Sequence, residues 1–208
     1  MKLRLSLTIV SIAVIFSACS EAPQKSVEKA PEPPPEPVTG STAFFRMYTA
    51  ARGWAGDVQP LRMSSVDLAQ VKRVPGKAAA WQAMFISPQR SGARTYSYSV
   101  IEAEGNLHKG VFAGLEEGWS GPRAGVKPFL IQALKIDSDA AYETAMKKGK
   151  KAAEYTKAHP DMNIMFLLEQ NNKFQQLTWR VIWGETVGTS NYSVFVDATT
   201  GEYLETMR

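Results

Sequence analysis

The sequence predicts an α+β protein of two tandem modules, each a helix followed by an antiparallel sheet, behind an N-terminal export signal and a proline-rich tether. Three observations lead there. Runs with strand-like period-two spacing recur over residues 59–112 and again over 163–206. A stretch of helical spacing that opens on capping residues precedes each set. Ser41-Thr42 stands before Phe44, Tyr48, Ala51 and Ala55, and Asp137-Ser138-Asp139 before Ala141, Ala145 and Gly149. Short motifs of the first set also return in the second. Trp81-Gln-Ala-Met-Phe matches Trp179-Arg-Val-Ile-Trp, and Tyr98-Ser-Val matches Tyr192-Ser-Val.

Residues 1–18 read as the signal. Lys2 and Arg4 make a positive start, and Leu5 to Phe16 is an apolar run too short to remain as a membrane-spanning helix. Phe16-Ser17-Ala18-Cys19 resembles the processing box of bacterial lipoproteins, where small residues precede a cysteine that becomes the lipidated N-terminus. Phenylalanine stands where leucine is usual. The resemblance implies lipidation of Cys19; an ordinary secretory signal cleaved near Ala18 is the alternative. Cys19 is the chain's single cysteine, so no intramolecular disulfide can form. Two or more acyl chains hold a protein durably, each buried methylene contributing about 0.8 kcal/mol. Ser20 rather than aspartate follows, which by resemblance to known sorting signals implies the outer membrane, facing the periplasm, in a cell that has one.

Residues 19–40 form the tether. Half of the 12 prolines lie here, mixed with Glu and Lys and almost no large apolar residue. Such a segment cannot bury enough surface to offset its ordering entropy. Its proline run favours polyproline II at roughly 3.1 Å per residue, which suits a spacer. The first module is expected over 41–127 and the second over 128–208.

In the first module the helix runs to about Gly53. Strands follow at Gln59–Leu68, Ala80–Ser87, Arg94–Glu102 and Leu107–Phe112, separated by turns at Val74-Pro75-Gly76, Pro88–Ala93 and Gly105-Asn106. In the second, Phe129–Ile136 reads as a strand, and a long helix extends to about Lys157, where His159-Pro160 ends it. Strands at Asn163–Glu169, Leu177–Trp183, Tyr192–Val196 and Glu202–Thr206 close the chain. Each module is thus a helix with about three antiparallel strands. Trp81 and Trp179 hold equivalent places and are expected in the core.

The second helix has an inward stripe of small residues, Ala141, Ala145, Gly149, Ala152 and Thr156, that permits close approach to a sheet. Lys147, Lys148, Lys150, Lys151 and Lys157 lie mostly opposite. A solvated face is the plain reading of these lysines, and attraction to anionic lipid or cell-wall polymer the sharper one. Net charge argues little for a polyanion partner: it is +4, and Lys2 and Arg4 supply two of those charges. No arginine-rich run or aromatic–basic interleaving suggests nucleic acid.

Catalytic patterns are missing from the sequence. His108 and His159 belong to no metal-spaced cluster, and Gly118-Trp-Ser-Gly121 lacks the spacing of a nucleophile elbow. No enzyme, metal or cofactor is expected. Trp119 differs from the other tryptophans because it lies in Gly114-Leu-Glu-Glu-Gly118-Trp-Ser-Gly121-Pro, which has no counterpart in the second half. It is either a binding anchor on a loop or a cover over an open sheet end.

The closing strands resemble the PepSY family. The carrying residues are Trp179-Arg-Val-Ile182 and Tyr192-Ser-Val-Phe-Val-Asp197-Ala-Thr-Thr-Gly201-Glu202, with a helix upstream. The match covers about seventy residues, and the first half follows in outline. The resemblance implies extracytoplasmic modules that bind proteins and sometimes inhibit a protease. The expected function is therefore a lipid-anchored, non-enzymatic envelope protein that binds a protein or peptide partner. Candidate contacts are Trp119, Lys147, Lys148, Lys150 and Lys151. A structural lipoprotein associated with cell-wall polymer and a small-ligand carrier are the alternatives.

Overall fold

The fold begins inside the segment expected to be tether. Pro37 is buried, Val38 pairs with Ala78, and Thr39 rather than Ser41 caps the first helix by accepting from Thr42 N–H. That helix, α1, spans Gly40–Trp54. Ser41 is free to be helical because its N–H finds another partner, the Asp137 carboxylate at 2.8 Å. The computed structural model describes residues 33–122 and 124–207, so the signal, Cys19 and most of the tether lie outside the described residues. Residues Pro34–Arg208 form one compact unit.

Four strands follow α1: β1 (Gln59–Val66), β2 (Ala80–Ser87), β3 (Gly92–Ser99) and β4 (Gly110–Gly118). The second half contributes α2 (Ser138–Lys148), α3 (Ala152–Ala158), β5 (Ile164–Gln170), β6 (Leu177–Trp183), β7 (Tyr192–Asp197) and β8 (Tyr203–Met207). All eight strands join one antiparallel sheet in the order β4-β3-β2-β1-β5-β6-β7-β8. Each half thus supplies four strands, not about three. The class is α+β, as the spacing predicts.

Period two decides which side chains meet the helices. Met63, Trp81, Phe85, Tyr96, Phe166, Leu168, Trp179, Val181, Trp183 and Val194 pack with Ala43, Phe44 and Met47 of α1 and Ala141 and Ala145 of α2 in one core. Small residues at 141 and 145, both fully buried, let α2 lie close to the sheet. Trp81 and Trp179 are both wholly buried, their rings meeting edge to face at 6.2 Å.

Three expected elements need correction. Phe129–Ile136 is no strand; it is an irregular segment with one 3-10 turn at Ile131–Ala133. The expected single helix to Lys157 breaks into α2 and α3. A Cβ at Gly149 would stand 2.7 Å from Val194 Cγ2, so the chain crosses β7 there as bare backbone, and Lys151 then takes a left-handed φ of 60° before α3 starts. Finally, β4 starts after Lys109 and runs through Gly118. His108 therefore precedes the strand, and Gly114 to Gly118 are strand rather than loop, because β3 is long enough to pair them: Gly92 stands opposite Gly118 and Arg94 opposite Glu116.

Several backbone contacts of the first half recur in the second at a shift of 98 positions, the separation of Gly40 from Ser138, although β1 and β5 do not keep that shift. Trp81 Nε1–H donates to Val38 O (3.1 Å), and Trp179 Nε1–H to Ile136 O (2.8 Å). Val100 N–H donates to Ala79 O, and Ala198 N–H to Leu177 O. Register also corrects one match made on residue type. Tyr98 faces Trp81 and Val196 faces Trp179, so Tyr98 corresponds to Val196; Tyr192 faces Trp183 instead. The two helix N-termini meet between the tryptophans, where Gly40 N–H donates to Ser138 Oγ at 2.8 Å.

The turn after β2 is held by carboxylates. Asp57 accepts from Ser87 Oγ–H (2.6 Å) and Gln89 N–H (2.9 Å), while Glu116 accepts from the Arg90 guanidinium and from Trp54 Nε1–H. The Ser87 and Gln89 bonds lower the Asp57 pKa, and the Arg90 and Trp54 bonds lower that of Glu116. A carboxylate with a depressed folded pKa stabilises the fold above its unfolded pKa, and that contribution is lost as pH falls through the folded value. Thermal scans should therefore show the melting temperature falling below about pH 4.5. In the double variant Asp57→Asn, Glu116→Gln the fall should be shallower and the neutral-pH melting temperature lower. An identical acid limb in both proteins would remove these groups from the explanation.

Candidate cleft at the split central ladder

The two halves meet at β1 and β5, yet their ladder is short, pairing only Arg62–Glu169, Met63–Leu168 and Ser64–Leu167. Beyond it the strands part in both directions. At one end the opening is filled from within. Lys127 N–H donates to Gln170 O and Phe129 N–H to Pro60 O, each at 2.9 Å. The buried Phe129 ring stacks on Phe44 at 6.0 Å.

At the other end lies a cleft of about 260 Å³, lined by Ser65, Asp67, Val74, Tyr142, Ile164 and Phe166 among others. Its floor presents backbone. Gly184 N–H donates to Asn163 O at 2.8 Å, so antiparallel alternation turns the backbone of Asn163 and Met165 toward β6 and that of Ile164 and Phe166 toward β1. Phe166 N–H is satisfied by Ser65 Oγ at 2.8 Å. Ile164 faces the cleft where β1 has already turned away.

The outer wall is the connection from β1 to β2. Ser138 Oγ–H donates to Gly76 O at 2.5 Å and fixes this loop to the start of α2. Arg73 grips Asp67 with two hydrogen bonds, 3.2 and 2.6 Å, and reaches Asp161 O at 3.1 Å, tying the loop to the α3–β5 connection. The Asp67 carboxylate holds the Arg73 pKa above its ordinary value. On the opposite wall Tyr142 is half-buried, and its hydroxyl has no hydrogen-bond partner among the described residues. Burial pushes its pKa up, so the phenol stays neutral and available as a donor. A cleft of mixed apolar and polar lining, with a phenol unpaired among the described residues and strand backbone at its floor, is suited to binding. Among the described residues no group of three or more His, Cys, Asp or Glu could hold a metal.

The residues singled out in the sequence lie elsewhere. Trp119 directly follows β4; its N–H donates to Ser91 O at 2.8 Å, and its half-buried ring packs on Leu61, Ile86 and Ala93. That is the arrangement of a cover over the sheet. Lys147 and Lys148 end α2, Lys151 precedes α3, and all four lysines are exposed, with Lys147 paired to Glu143 at 3.0 Å. Lys150 is anchored through its backbone, its N–H to Thr206 Oγ1 and its carbonyl accepting from Tyr192 OH. None of these residues is in the cleft. Tyr142, Asn163 and Ile164 were not legible as site residues. The signal that could have found them is the repeat itself, which sets Tyr142 at the position of Phe44.

The sheet edges are weaker binding surfaces. In β4 the register shifts between Arg94 and Tyr96, leaving Leu115 88% exposed on an irregular edge that also carries Glu116 and Glu117. Irregularity and charge both discourage strand addition. No helix among the described residues is long and apolar enough to cross a membrane.

No family model matches this chain, and no curated protein does. Among solved structures the chain is similar to the crystal structure of a "putative lipoprotein" from Clostridium difficile 630. The TM-score is 0.44 at 8% identity, covering 79% of this chain and 91% of that one.

Proposed function

We propose that this is a lipid-anchored, non-enzymatic protein of the cell envelope, attached through Cys19 and probing its surroundings with a PepSY-like domain that binds a protein or peptide partner. The observation that carries the binding role is the cleft at the split ladder, where strand backbone and a lining of apolar and polar side chains face outward. Such a site favours an extended segment, because main-chain hydrogen bonds supply affinity and a side-chain pocket supplies selection. The lipobox-like Phe16 to Cys19 and the tether support the anchoring, and the closing strands support the family resemblance. Regulation of a protease is the partner role that resemblance suggests.

The test uses the full chain expressed with its signal. Labelled palmitate should enter the protein and be lost in Cys19→Ser, with the variant released from the membrane fraction. Cross-linking in intact cells should then enrich one or more envelope proteins over an unrelated lipoprotein bait. Labelling unchanged by Cys19→Ser would remove the anchor, and no enrichment would remove the partner.

A further inference from the structure

The two openings at the ends of the β1–β5 ladder correspond under the repeat, yet among the described residues one is filled and the other is not. In the filled opening an extended stretch, Lys127-Pro128-Phe129-Leu130, bridges Gln170 O and Pro60 O and lays Phe129 against Phe44. The repeat carries Phe44 onto Tyr142. Register carries Pro60, which faces Phe85 in β2, onto Ile164, which faces Trp183 in β6, and it carries Gln170 back onto Asp67. Tyr142, Ile164 and Asp67 all line the cleft. The cleft therefore repeats the geometry of the filled opening, and no described segment lies in it as Lys127–Leu130 lies in the other.

We propose that the cleft binds a short extended peptide of a partner protein, with an aromatic side chain inserted beside Tyr142 as Phe129 is inserted beside Phe44, and with acidic residues flanking it. This rests on the partner-binding reading above and names the ligand class. The peptide backbone would take up the exposed edge of Ile164 at one point and the Asp67 carbonyl at the other, repeating the two bonds made by Lys127 and Phe129. Proline at the position before the aromatic residue is compatible with this pose, since Pro128 lies between the two donors and itself donates nothing. The acidic flank follows from the rim. Asp67 neutralises Arg73, which leaves Lys72 and Lys77 exposed beside the opening. Tyr142 differs from Phe44 by the hydroxyl, which supplies a donor the filled opening lacks.

The probe is a fluorescent synthetic peptide copying residues 125–132, Gly-Val-Lys-Pro-Phe-Leu-Ile-Gln, with two glutamates appended, titrated by anisotropy against the full chain in detergent. Saturable binding is expected. Replacing the peptide's phenylalanine by alanine should weaken it at least about tenfold, as for a buried aromatic anchor. Val74→Trp, which fills the cleft from its half-buried wall, should do the same while circular dichroism and melting temperature stay unchanged. Lys72→Glu with Lys77→Glu should weaken binding severalfold and remove most of its salt dependence.

Absence of binding to the folded wild-type protein overturns the proposal, and so does binding indifferent to Val74→Trp or to the aromatic residue. Binding that appears only after residues 29–32 are changed to glycine would give the cleft to the protein's own N-terminal segment, and also overturns it. The partner-binding reading fails separately: if cellular cross-linking still enriches a partner, and Val74→Trp leaves that enrichment intact, only the cleft assignment falls.

Discussion

Trp179→Ala is expected to lower the unfolding free energy by about 3–5 kcal/mol, the range for removing a large aromatic side chain from a close-packed core. The residue is wholly buried at the centre of the sheet, edge to face with Trp81 and with Phe166. Its indole N–H satisfies Ile136 O just before α2, so the substitution also leaves a half-buried carbonyl without that partner. The far edge of the ring lies under Gly40: a Cβ there would stand 2.6 Å from Trp179 Cη2. The tryptophan thus fixes how α1 and α2 enter the core as well as filling it. Trp179→Phe keeps an aromatic ring but loses the N–H and should lose clearly less. Urea titration of the three proteins, followed by far-ultraviolet circular dichroism, measures the order. A Trp179→Ala loss under about 1.5 kcal/mol would contradict the central place given to this side chain.

Gly76→Ala should be nearly as damaging, at about 2–5 kcal/mol, although it adds a single methyl group. Two costs combine. Gly76 has a φ of +76°, which a side chain disfavours by roughly 1–2 kcal/mol. The new Cβ would also meet Asp139 Cα at 2.3 Å, and since the obstacle is backbone it cannot swing aside, which costs about 1–3 kcal/mol more. The strain falls on the contact that fixes the cleft wall, the bond from Ser138 to Gly76 O. Peptide affinity should therefore drop along with stability. Gly118→Ala is the matched control, because nothing lies within 4 Å of a Cβ at that position on the edge strand. It should change stability by less than about 0.5 kcal/mol. Equal effects at the two glycines would refute the packing argument.

Much of the architecture was legible in the sequence, and the misreadings share a cause. Ala80–Ser87 and Leu177–Trp183 have the bounds expected of them, because strong alternation in a central strand reports burial directly. Phe129–Ile136 carries a similar apolar composition but is an irregular segment that inserts Phe129 and Leu134 into the core, and composition does not distinguish a strand from a plug. Gly149 looked like one more small residue in a helical stripe; its role as the break depends on Val194, which is remote in sequence. The repeat was visible through its tryptophans, whereas matching tyrosine to tyrosine misplaced Tyr192. Hydrogen-bond register, not residue type, defines equivalence in a sheet.

The sequence alone determined the α+β class, the alternation of the central strands, the cap at Asp137 and the burial of Trp81 and Trp179, since each follows from local periodicity or turn chemistry. It also carries the whole case for the anchor at Cys19. Only the tertiary structure decided that the eight strands make one sheet, that the central ladder is three pairs long, and that Phe129 fills one opening while Tyr142 borders the other. Those facts depend on residues about a hundred positions apart in the chain being brought together, which no local pattern records.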